Sequence, residues 1–440
     1  MSRIIAFMMA LLTAFVAASK VATSAELVAG ASRVDLTPPM SMNAPLGGYG
    51  ARMNRPAEGV HDRIFAKAVV LSDGERRFAL VTCDMLGLAP PVKQEIIKRL
   101  GDGWTAEQVL ILPSHSHSAI EMNAINPNNT FGIPQIGIHD PELYDFTVNH
   151  FVDVIQRAAD ELQPVVIGTT SRDIPGWNRN RRKDSTLTDN EITITRIDTT
   201  DGKPLAALVN FTAHPTMMSE REMMFSGGWP GALQRTMEAA IGEGVTAMYY
   251  NGAQGDQTTI GRKTGGNSAW ERSAQYGLEL GLLAAEDWKS IKTHRDVAFD
   301  FHLQPIDLPE SSWHPDFMST GGAEYGLSEE ILTELLPKMQ PRQTTSGSLR
   351  LGDLLIIGIP GEMSAELGLN LKAQAKEITG APHPVIGGLA NEWISYILTA
   401  KAYNTGRYEA SVSFYGETLG ETITQGAITG LQELNDDVHQ

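Results

Sequence analysis

The sequence is almost free of cysteine, with a single one, Cys83, among its 440 residues. One cysteine cannot form an intrachain disulfide, so the fold must be stabilised by its hydrophobic core. At this length, a hydrophobic content of 42% is sufficient for a large core. Cys83 ends the apolar run at residues 78–83, which is the setting of a small core residue and not of a reactive thiolate.

Basic residues are also scarce. The chain has 35 lysines and arginines against 52 aspartates and glutamates, which gives a formal net charge of −17 at pH 7. A protein that binds nucleic acid or an anionic membrane through its charge needs the opposite balance. The composition therefore argues against nucleic acid as a partner and against tight electrostatic binding to membranes.

Long apolar runs are absent beyond residue 25. A membrane-spanning helix needs about 20 consecutive apolar residues, and no later stretch approaches that length. Residues 1–25 are different, because Arg3 precedes an apolar run and Thr23, Ser24 and Ala25 supply small residues at a cleavage site. We expect a signal peptide at residues 1–25, no transmembrane segment in the mature chain, and export to the periplasm or the exterior.

The remaining chain alternates short apolar strands with amphipathic helices, a pattern that predicts an α/β fold with mixed sheets flanked by helices. Strands are predicted at residues 65–71, 77–83, 109–112, 164–168, 191–198, 204–211, 245–250, 348–351 and 354–359. Helices are predicted at residues 91–100, 140–162, 230–242, 268–291 and 364–378. No repeat or linker divides residues 26–440, which we interpret as one domain. Residues 303–347 form the least regular region and are a candidate lid.

Polar side chains follow five of the predicted strands. These side chains are Asp84, His115 with His117, His214, Asp256 with Thr258, and Glu362. In sheets flanked by helices, ligands bind outside the carboxyl ends of strands. We therefore expect the five strand ends to contribute to one site.

Two histidines and a carboxylate with an open position are the ligand set of catalytic zinc. His115 and His117 are two residues apart in an extended segment, so both rings point to the same side. Each residue also has a structural explanation when taken alone: His214 as a hydrogen-bonded core histidine, and Glu362 as a carboxylate at a helix start. Taken together, the residues favour a zinc site at the carboxyl ends of the strands.

The only basic cluster of this acidic protein lies at residues 176–183 and contains Arg179, Arg181 and Arg182. Such a cluster is either a solvated loop or a site that holds an anionic or polar group of a substrate. The sequence leaves both interpretations open.

An ordered set of motifs resembles the neutral/alkaline non-lysosomal ceramidase family. The motifs are Leu36-Thr-Pro-Pro39, Pro45-Leu-Gly-Gly-Tyr-Gly50, Ser114-His-Ser-His-Ser118, Asn178-Arg179, Ala213-His-Pro-Thr216, Gly255-Asp256, Pro360-Gly-Glu362 and the interval from Tyr396 to Tyr408. The resemblance covers nearly all of residues 26–440. It corresponds to the amino-terminal catalytic domain of the family, without its sandwich-like carboxyl-terminal domain.

This resemblance implies a zinc amidase that cleaves the N-acyl bond of ceramide to sphingosine and a fatty acid. It implies that zinc is held by His115, His214, Glu362 and Tyr396. It also implies that His117, Arg179 and Tyr408 line the reacting centre, where His117 moves a proton and a tyrosine or arginine stabilises the oxyanion.

Two departures from the family pattern affect the expected substrate. Thr258 occupies the position of a family serine, so the hydroxyl remains as a nucleophile or as a group that orients water. Asn180 and Arg181 replace the usual Ser-Pro after the arginine motif. An amphipathic N-acyl lipid is the expected substrate. The alternatives are a zinc hydrolase of another amide or ester, such as an acylated sugar or amino-acid conjugate, and a non-catalytic exported binding protein.

Overall fold

The structure is a computed structural model that describes residues 26–260 and 266–438. The expected signal peptide at residues 1–25 lies outside the described residues. Within those residues, no helix combines the length and the apolar character needed to cross a membrane.

Strands and helices alternate along the described chain. The strands are β1 (Val28–Asp35), β2 (Gly59–Val60), β3 (Phe65–Ser72), β4 (Arg77–Cys83), β5 (Val109–Pro113), β6 (Gln163–Asp173), β7 (Asn178–Asn180), β8 (Glu191–Thr199), β9 (Pro204–Phe211), β10 (Met224–Phe225), β11 (Thr246–Asn251), β12 (Gln257–Thr259), β13 (Phe299–Asp307), β14 (Gln343–Leu351), β15 (Leu354–Ile359), β16 (Glu362–Met363), β17 (His383–Gly388) and β18 (Tyr396–Ile397). The helices are α1 (Pro90–Leu100), α2 (Pro141–Asp160), α3 (Gly228–Ile241), α4 (Ala269–Ser290), α5 (Gly321–Tyr325), α6 (Glu329–Met339), α7 (Ala365–Thr379), α8 (Ala400–Asn404), α9 (Arg407–Ser411) and α10 (Leu419–Val438).

Two mixed sheets form the centre of the fold. The larger sheet has the strand order β11-β9-β8-β6-β1-β3-β4-β5, and the smaller has the order β13-β14-β15-β17. The pairs β4–β5, β9–β11 and β15–β17 are parallel, whereas the other pairs in these two sheets are antiparallel. Three two-stranded ribbons, β2–β10, β7–β12 and β16–β18, lie beside the sheets.

The two sheets pack face to face between outer layers of helix. Leu110 and Leu112 of β5 lie in one core with Leu349 and Ile356 of the smaller sheet, whereas Ile111, between them in sequence, packs on the other side with residues of α1 and α2. This alternation is the two-residue period of a strand that is buried on both faces. Helices α3 and α4 cover the other half of the large sheet, and α7 and α10 cover the small one. The predicted class, mixed sheets flanked by helices, is confirmed.

The prediction of an irregular region at residues 303–347 is wrong at both of its ends. Strands β13 and β14 pair along their whole length, from Phe299 with Leu351 to Asp307 with Gln343. Strand β13 is an edge strand whose residues are mostly half-buried, so it lacks the clean apolar alternation that identifies a strand. Pro305 is tolerated there because an edge strand does not need every N–H group.

The close approach of α3 and α4 depends on Gly277 of α4. A Cβ atom at this position would lie 2.3 Å from the carbonyl oxygen of Trp229 in α3. We predict that Gly277→Ala destabilises the fold by about 1–3 kcal/mol, because overpacking outweighs the higher helix propensity of alanine. The control Leu282→Ala, on the exposed face of the same helix, should change the free energy of urea unfolding by less than about 0.5 kcal/mol. Equal stability of the two variants would contradict the close packing.

Candidate metal and active site

Three strand ends bring His115, His214 and Glu362 together. His115 follows β5, His214 follows β9, and Glu362 begins β16 just after β15. The Nε2 atoms of the two histidines are 3.1 Å apart. Oε2 of Glu362 lies 3.1 Å from Nε2 of His214 and 3.5 Å from Nε2 of His115. All three side chains are buried.

Hydrogen bonds to the backbone determine where the histidine protons lie. Nδ1 of His115 donates to the carbonyl oxygen of Leu86 at 2.5 Å, and Nδ1 of His214 donates to that of Gln254 at 2.9 Å. Each Nε2 therefore presents a lone pair to the cluster. Burial, followed by the charge of Arg181, lowers the pKa of His214 to about 4, so this ring is neutral at pH 7.

Glu362 adds a third lone-pair atom to the same point. Its Oε1 accepts a hydrogen bond from Nε1 of Trp393 at 2.9 Å, while its Oε2 is buried without a hydrogen-bond donor. Three acceptor atoms within 3.5 Å of one another repel unless a cation lies among them. Two imidazole nitrogens and a carboxylate oxygen, with outer hydrogen bonds that orient them, are a set suited to zinc. The residues present therefore fit the expected metal.

His117 completes a group of three histidines that could hold a metal ion, with ligand atoms within 4.8 Å of one another. Its Nε2 lies 3.3 Å from Nε2 of His115, but its Nδ1 has no hydrogen-bond partner. The ring packs against Gly48, where a Cβ atom would lie 2.3 Å from Nδ1. Burial lowers the pKa of His117 well below its usual range, so this ring is neutral as well.

The backbone of His115 lies in the left-handed region, with φ of 69°. Such a conformation costs a non-glycine residue about 1–3 kcal/mol and is found mainly where function requires it. The segment is kept in place by its neighbours, because the N–H groups of Ser114 and Ser116 donate to the carbonyls of Cys83 and Met85.

The two expected tyrosines lie beside the cluster. Tyr396 is the register partner of Glu362 in the parallel β16–β18 ribbon, so both side chains are on the same side. The ring centroids of Tyr396 and Tyr408 are 6.0 Å apart. Thr258 forms an isolated bridge with His214 and is half-buried. The structure thus places the two tyrosines in the pocket lining at the cluster, and the backbone of Thr258 next to that of His214.

Arg179 is an expected site residue whose side chain is exposed, while those of its neighbours Asn178 and Asn180 are buried. In the β7–β12 ribbon Arg179 pairs in register with Thr258, the residue that bridges to His214. Arg181, the residue directly after β7, also reaches the site. Its Nη2 donates to the hydroxyl of Tyr396 at 2.9 Å and its Nε to Glu409 at 2.9 Å.

Two aspartates expected at the site have structural roles instead. Asp84 accepts hydrogen bonds from the N–H of Phe65 and from the side chain of Gln234. Asp256 accepts from the N–H of Ala365, at the start of α7, and from Asn180. Both carboxylates support the elements that carry the site without reaching its centre.

An apolar pocket opens beside the cluster. It is lined by His115, His117, Glu362, Tyr396 and Tyr408 at the cluster. Its apolar wall includes Leu86, Met122, Ile136, Phe317, Leu332, Leu335, Val412 and Phe414. A mostly apolar pocket with a few convergent polar groups is the usual form of a small-molecule site.

The fold and the site define an α/β protein with a buried histidine–glutamate cluster at the carboxyl ends of its strands and an apolar pocket beside it. Residues 27–259 and 332–425 match the family profile described as neutral/alkaline non-lysosomal ceramidase, N-terminal. Because these segments make up most of the sequence, the chain belongs to the neutral/alkaline non-lysosomal ceramidase family. The resemblance seen in the motifs is confirmed.

Individual relatives extend over similar parts of the chain. The neutral ceramidase of Drosophila melanogaster is 23% identical over 516 residues, covering 89% of this chain and 72% of that protein. The neutral ceramidase of Mycobacterium tuberculosis is 22% identical, covering 84% of this chain and 71% of that protein. The crystal structure of neutral ceramidase from Pseudomonas aeruginosa superposes with a TM-score of 0.79 at 19% identity, covering 94% of this chain and 75% of that one.

The different positions of the two arginines can be tested by their contributions to stability. We predict that Arg181→Ala lowers the free energy of unfolding by about 2–4 kcal/mol, because it removes buried charge-assisted bonds to Glu409 and Tyr396. The matched variant Arg179→Ala should change it by less than about 0.5 kcal/mol. Urea unfolding followed by tryptophan fluorescence measures both values. A larger loss in Arg179→Ala would contradict the observed register.

Proposed function

We propose that the protein is a zinc-dependent hydrolase that cleaves the N-acyl amide bond of ceramide or a closely related lipid, releasing a free amine base and a fatty acid. The observation that carries this proposal is the cluster of unprotonated ligand atoms of His115, His214 and Glu362 at the edge of an apolar pocket. Membership of the ceramidase family supports the choice of substrate.

The zinc ligands in this proposal are His115, His214 and Glu362, with Tyr396 as a fourth by family resemblance. When bound there, zinc supplies a Lewis acid that polarises the amide carbonyl. The outer hydrogen bonds of the first three ligands keep their orientation, because a ligating histidine usually has its other nitrogen bonded to a carbonyl or carboxylate. His115 and His214 meet this condition, and His117 does not.

His117 is therefore assigned to proton transfer. The ring is neutral, lines the pocket, and presents Nε2 towards the cluster. It accepts a proton when the amide is attacked and returns it to the departing nitrogen, which has to be protonated to leave. The attacking group is a water that the hydroxyl of Thr258 orients, or this hydroxyl itself. In the second case an acyl ester of Thr258 forms as the amine leaves, and a water then hydrolyses the ester to release the fatty acid.

Tyr408 and Arg181 are assigned to stabilisation of the oxyanion. Tyr408 lines the pocket, and its ring centroid is 6.0 Å from that of Tyr396. Arg181 acts through its hydrogen bond to the hydroxyl of Tyr396, and Glu409 orients its guanidinium group. Preorganised donors of this kind cost little reorganisation as negative charge develops on the carbonyl oxygen.

We further propose that residues 1–25 are removed as a signal peptide and that residues 26–440 act outside the cytoplasm as a single catalytic domain. The positive residue, apolar run and small residues at positions 1–25 support export. Amino-terminal sequencing of exported protein should begin at Glu26. An uncut chain that remains in the cytoplasm would contradict this assignment.

A second candidate is a zinc hydrolase acting on a different amide or ester. Two sequence differences favour this candidate. Thr258 replaces the family serine, and Asn180 and Arg181 replace the usual Ser-Pro after Arg179. It keeps the same metal site and changes only the group that is bound.

The proposed activity can be measured with a short-chain fluorescent ceramide. We predict release of fatty acid that stops on addition of a chelator and returns with zinc. His115→Ala should lose both bound zinc and at least about 99% of kcat/KM, because it removes a ligand. The control His150→Ala, on α2 and remote from the cluster, should retain both. Zinc binding without any hydrolysis of ceramide would exclude this substrate and favour the second candidate.

The role of His117 can be separated from metal binding through Gly48. In Gly48→Ala, the added methyl group would occupy the space of the His117 ring, so kcat should fall by roughly 10²-fold while bound zinc is retained. The control Gly74→Ala imposes the same strain, since its φ is +90°, but has no atom within 4 Å. It should retain kcat. Loss of zinc in Gly48→Ala would instead identify His117 as a ligand.

A further inference from the structure

The pocket contains one carboxyl group besides Glu362, that of Glu121. Glu121 precedes the short 3₁₀ helix Met122–Ile125, and its Oε1 accepts a hydrogen bond from the N–H of Asn123 at 3.0 Å. Its Oε2 lies next to Gly47: a Cβ atom added to Gly47 would be 3.2 Å from this oxygen. Backbone groups of Gly48 and Met122 also hydrogen-bond to this carboxyl group. Because a carboxylate can accept about four hydrogen bonds, it keeps capacity for one more from the pocket that it lines.

Within residues 26–260 and 266–438, no cationic side chain forms an ion pair with this carboxyl group. Arg52 contributes the positive charge that acts on it, but the Arg52 guanidinium is occupied by four backbone carbonyls, those of Gly47, His117, Ser219 and Glu222. Burial raises the pKa of Glu121 to about 7. A buried carboxyl group without an ion-pair partner is costly, so a ligand that supplies a hydrogen-bond donor is favoured there.

The surroundings of Glu121 are the polar part of the pocket. Asn123, Asn126 and Gln135 line the same cavity, as do Gly48 and His117. The apolar wall formed by residues such as Phe317 and Phe414 suits an alkyl chain, whereas this part suits a group that carries hydroxyls. In a ceramide, hydroxyls are carried by the base next to the amide nitrogen.

We propose that Glu121 is a specificity-determining residue that accepts a hydrogen bond from a hydroxyl of the sphingoid base, which selects N-acyl amino alcohols over simple N-acyl amines. This inference rests on the proposed amide hydrolysis and names the part of the substrate that the pocket recognises. An analogue without the hydroxyl loses its hydrogen bond to this carboxyl group, and the loss of a hydrogen bond to a charged group is a source of discrimination. The same carboxyl group could also hold the amine of the product base, which is a different source of donors.

The test compares ceramide with analogues that lack one base hydroxyl, using wild-type protein and Glu121→Gln. Glutamine keeps the size of the side chain and an oxygen for the N–H of Asn123. The wild-type kcat/KM should favour ceramide by about 10- to 100-fold over one of the deoxy analogues. In Glu121→Gln this ratio should fall to within about threefold of unity, because the charge-assisted bond is lost.

Glu392→Gln is the matched control. Glu392 is also a buried carboxyl group whose pKa burial raises to about 7, but it does not line the pocket. Its variant should keep the wild-type ratio.

Wild-type protein that hydrolyses ceramide and both deoxy analogues equally would overturn the inference, whatever the stability of the variants. An unchanged ratio in folded Glu121→Gln would overturn it too. If Glu121→Gln weakens only product inhibition by the free amine base, the hydroxyl assignment is wrong. If the wild-type protein hydrolyses no ceramide at all, the proposed function itself is wrong. That outcome differs from the results above, in which ceramide is hydrolysed but the role of Glu121 is not supported.

Discussion

The site depends on the close approach of three acceptor atoms that would repel one another in the absence of a cation. Nε2 of His115, Nε2 of His214 and Oε2 of Glu362 lie 3.1 to 3.5 Å apart in a buried space. Each is kept there by a hydrogen bond on its far side, to Leu86, to Gln254 and from Trp393. Folding therefore brings these acceptor atoms together against their electrostatic repulsion. A positive ion bound among them would offset that repulsion.

Much of the surrounding structure supports this cluster from a distance. Arg52 is buried and joins the loop of Gly47 and the carbonyl of His117 to residues 219–222. Asp256 connects the start of α7 to Asn180, and thereby fixes the segment from which Arg181 reaches Tyr396. Of the residues that line the pocket, His117 is held through its carbonyl by Arg52, and Tyr408 lies in α9 beside Glu409, which Arg181 contacts. Preorganisation of donors and acceptors is the main electrostatic means by which enzymes accelerate acyl transfer.

The strong apolar periodicity of the sequence was sufficient to predict most of the fold. Strands β4, β9 and β15 are predicted within a residue or two, because they are buried on both faces and carry continuous apolar runs. Strand β13 was missed because an edge strand does not need such a run. The convergence of His115, His214 and Glu362 was predictable from their positions after strands, since the carboxyl ends of parallel strands meet at the same edge.

The remaining site residues depend on tertiary contacts that no local pattern records. Arg179 was chosen by motif position, whereas the contacts of Arg181 with Tyr396 and Glu409 become apparent only in the folded chain. Glu121 and Trp393 carry no motif, and only the packing of distant segments places them at the pocket and at Glu362. Gly48 could be recognised as a position that needs glycine, whereas its contact with His117 becomes apparent only in the folded chain.

The central claim is that a zinc ion lies among His115, His214 and Glu362. The most direct test is a crystal structure of zinc-loaded protein, with anomalous diffraction recorded on both sides of the zinc absorption edge. The account predicts one anomalous peak in contact with Nε2 of both histidines and with Oε2 of Glu362. A zinc peak elsewhere in the chain, with this cluster free of metal, would contradict it.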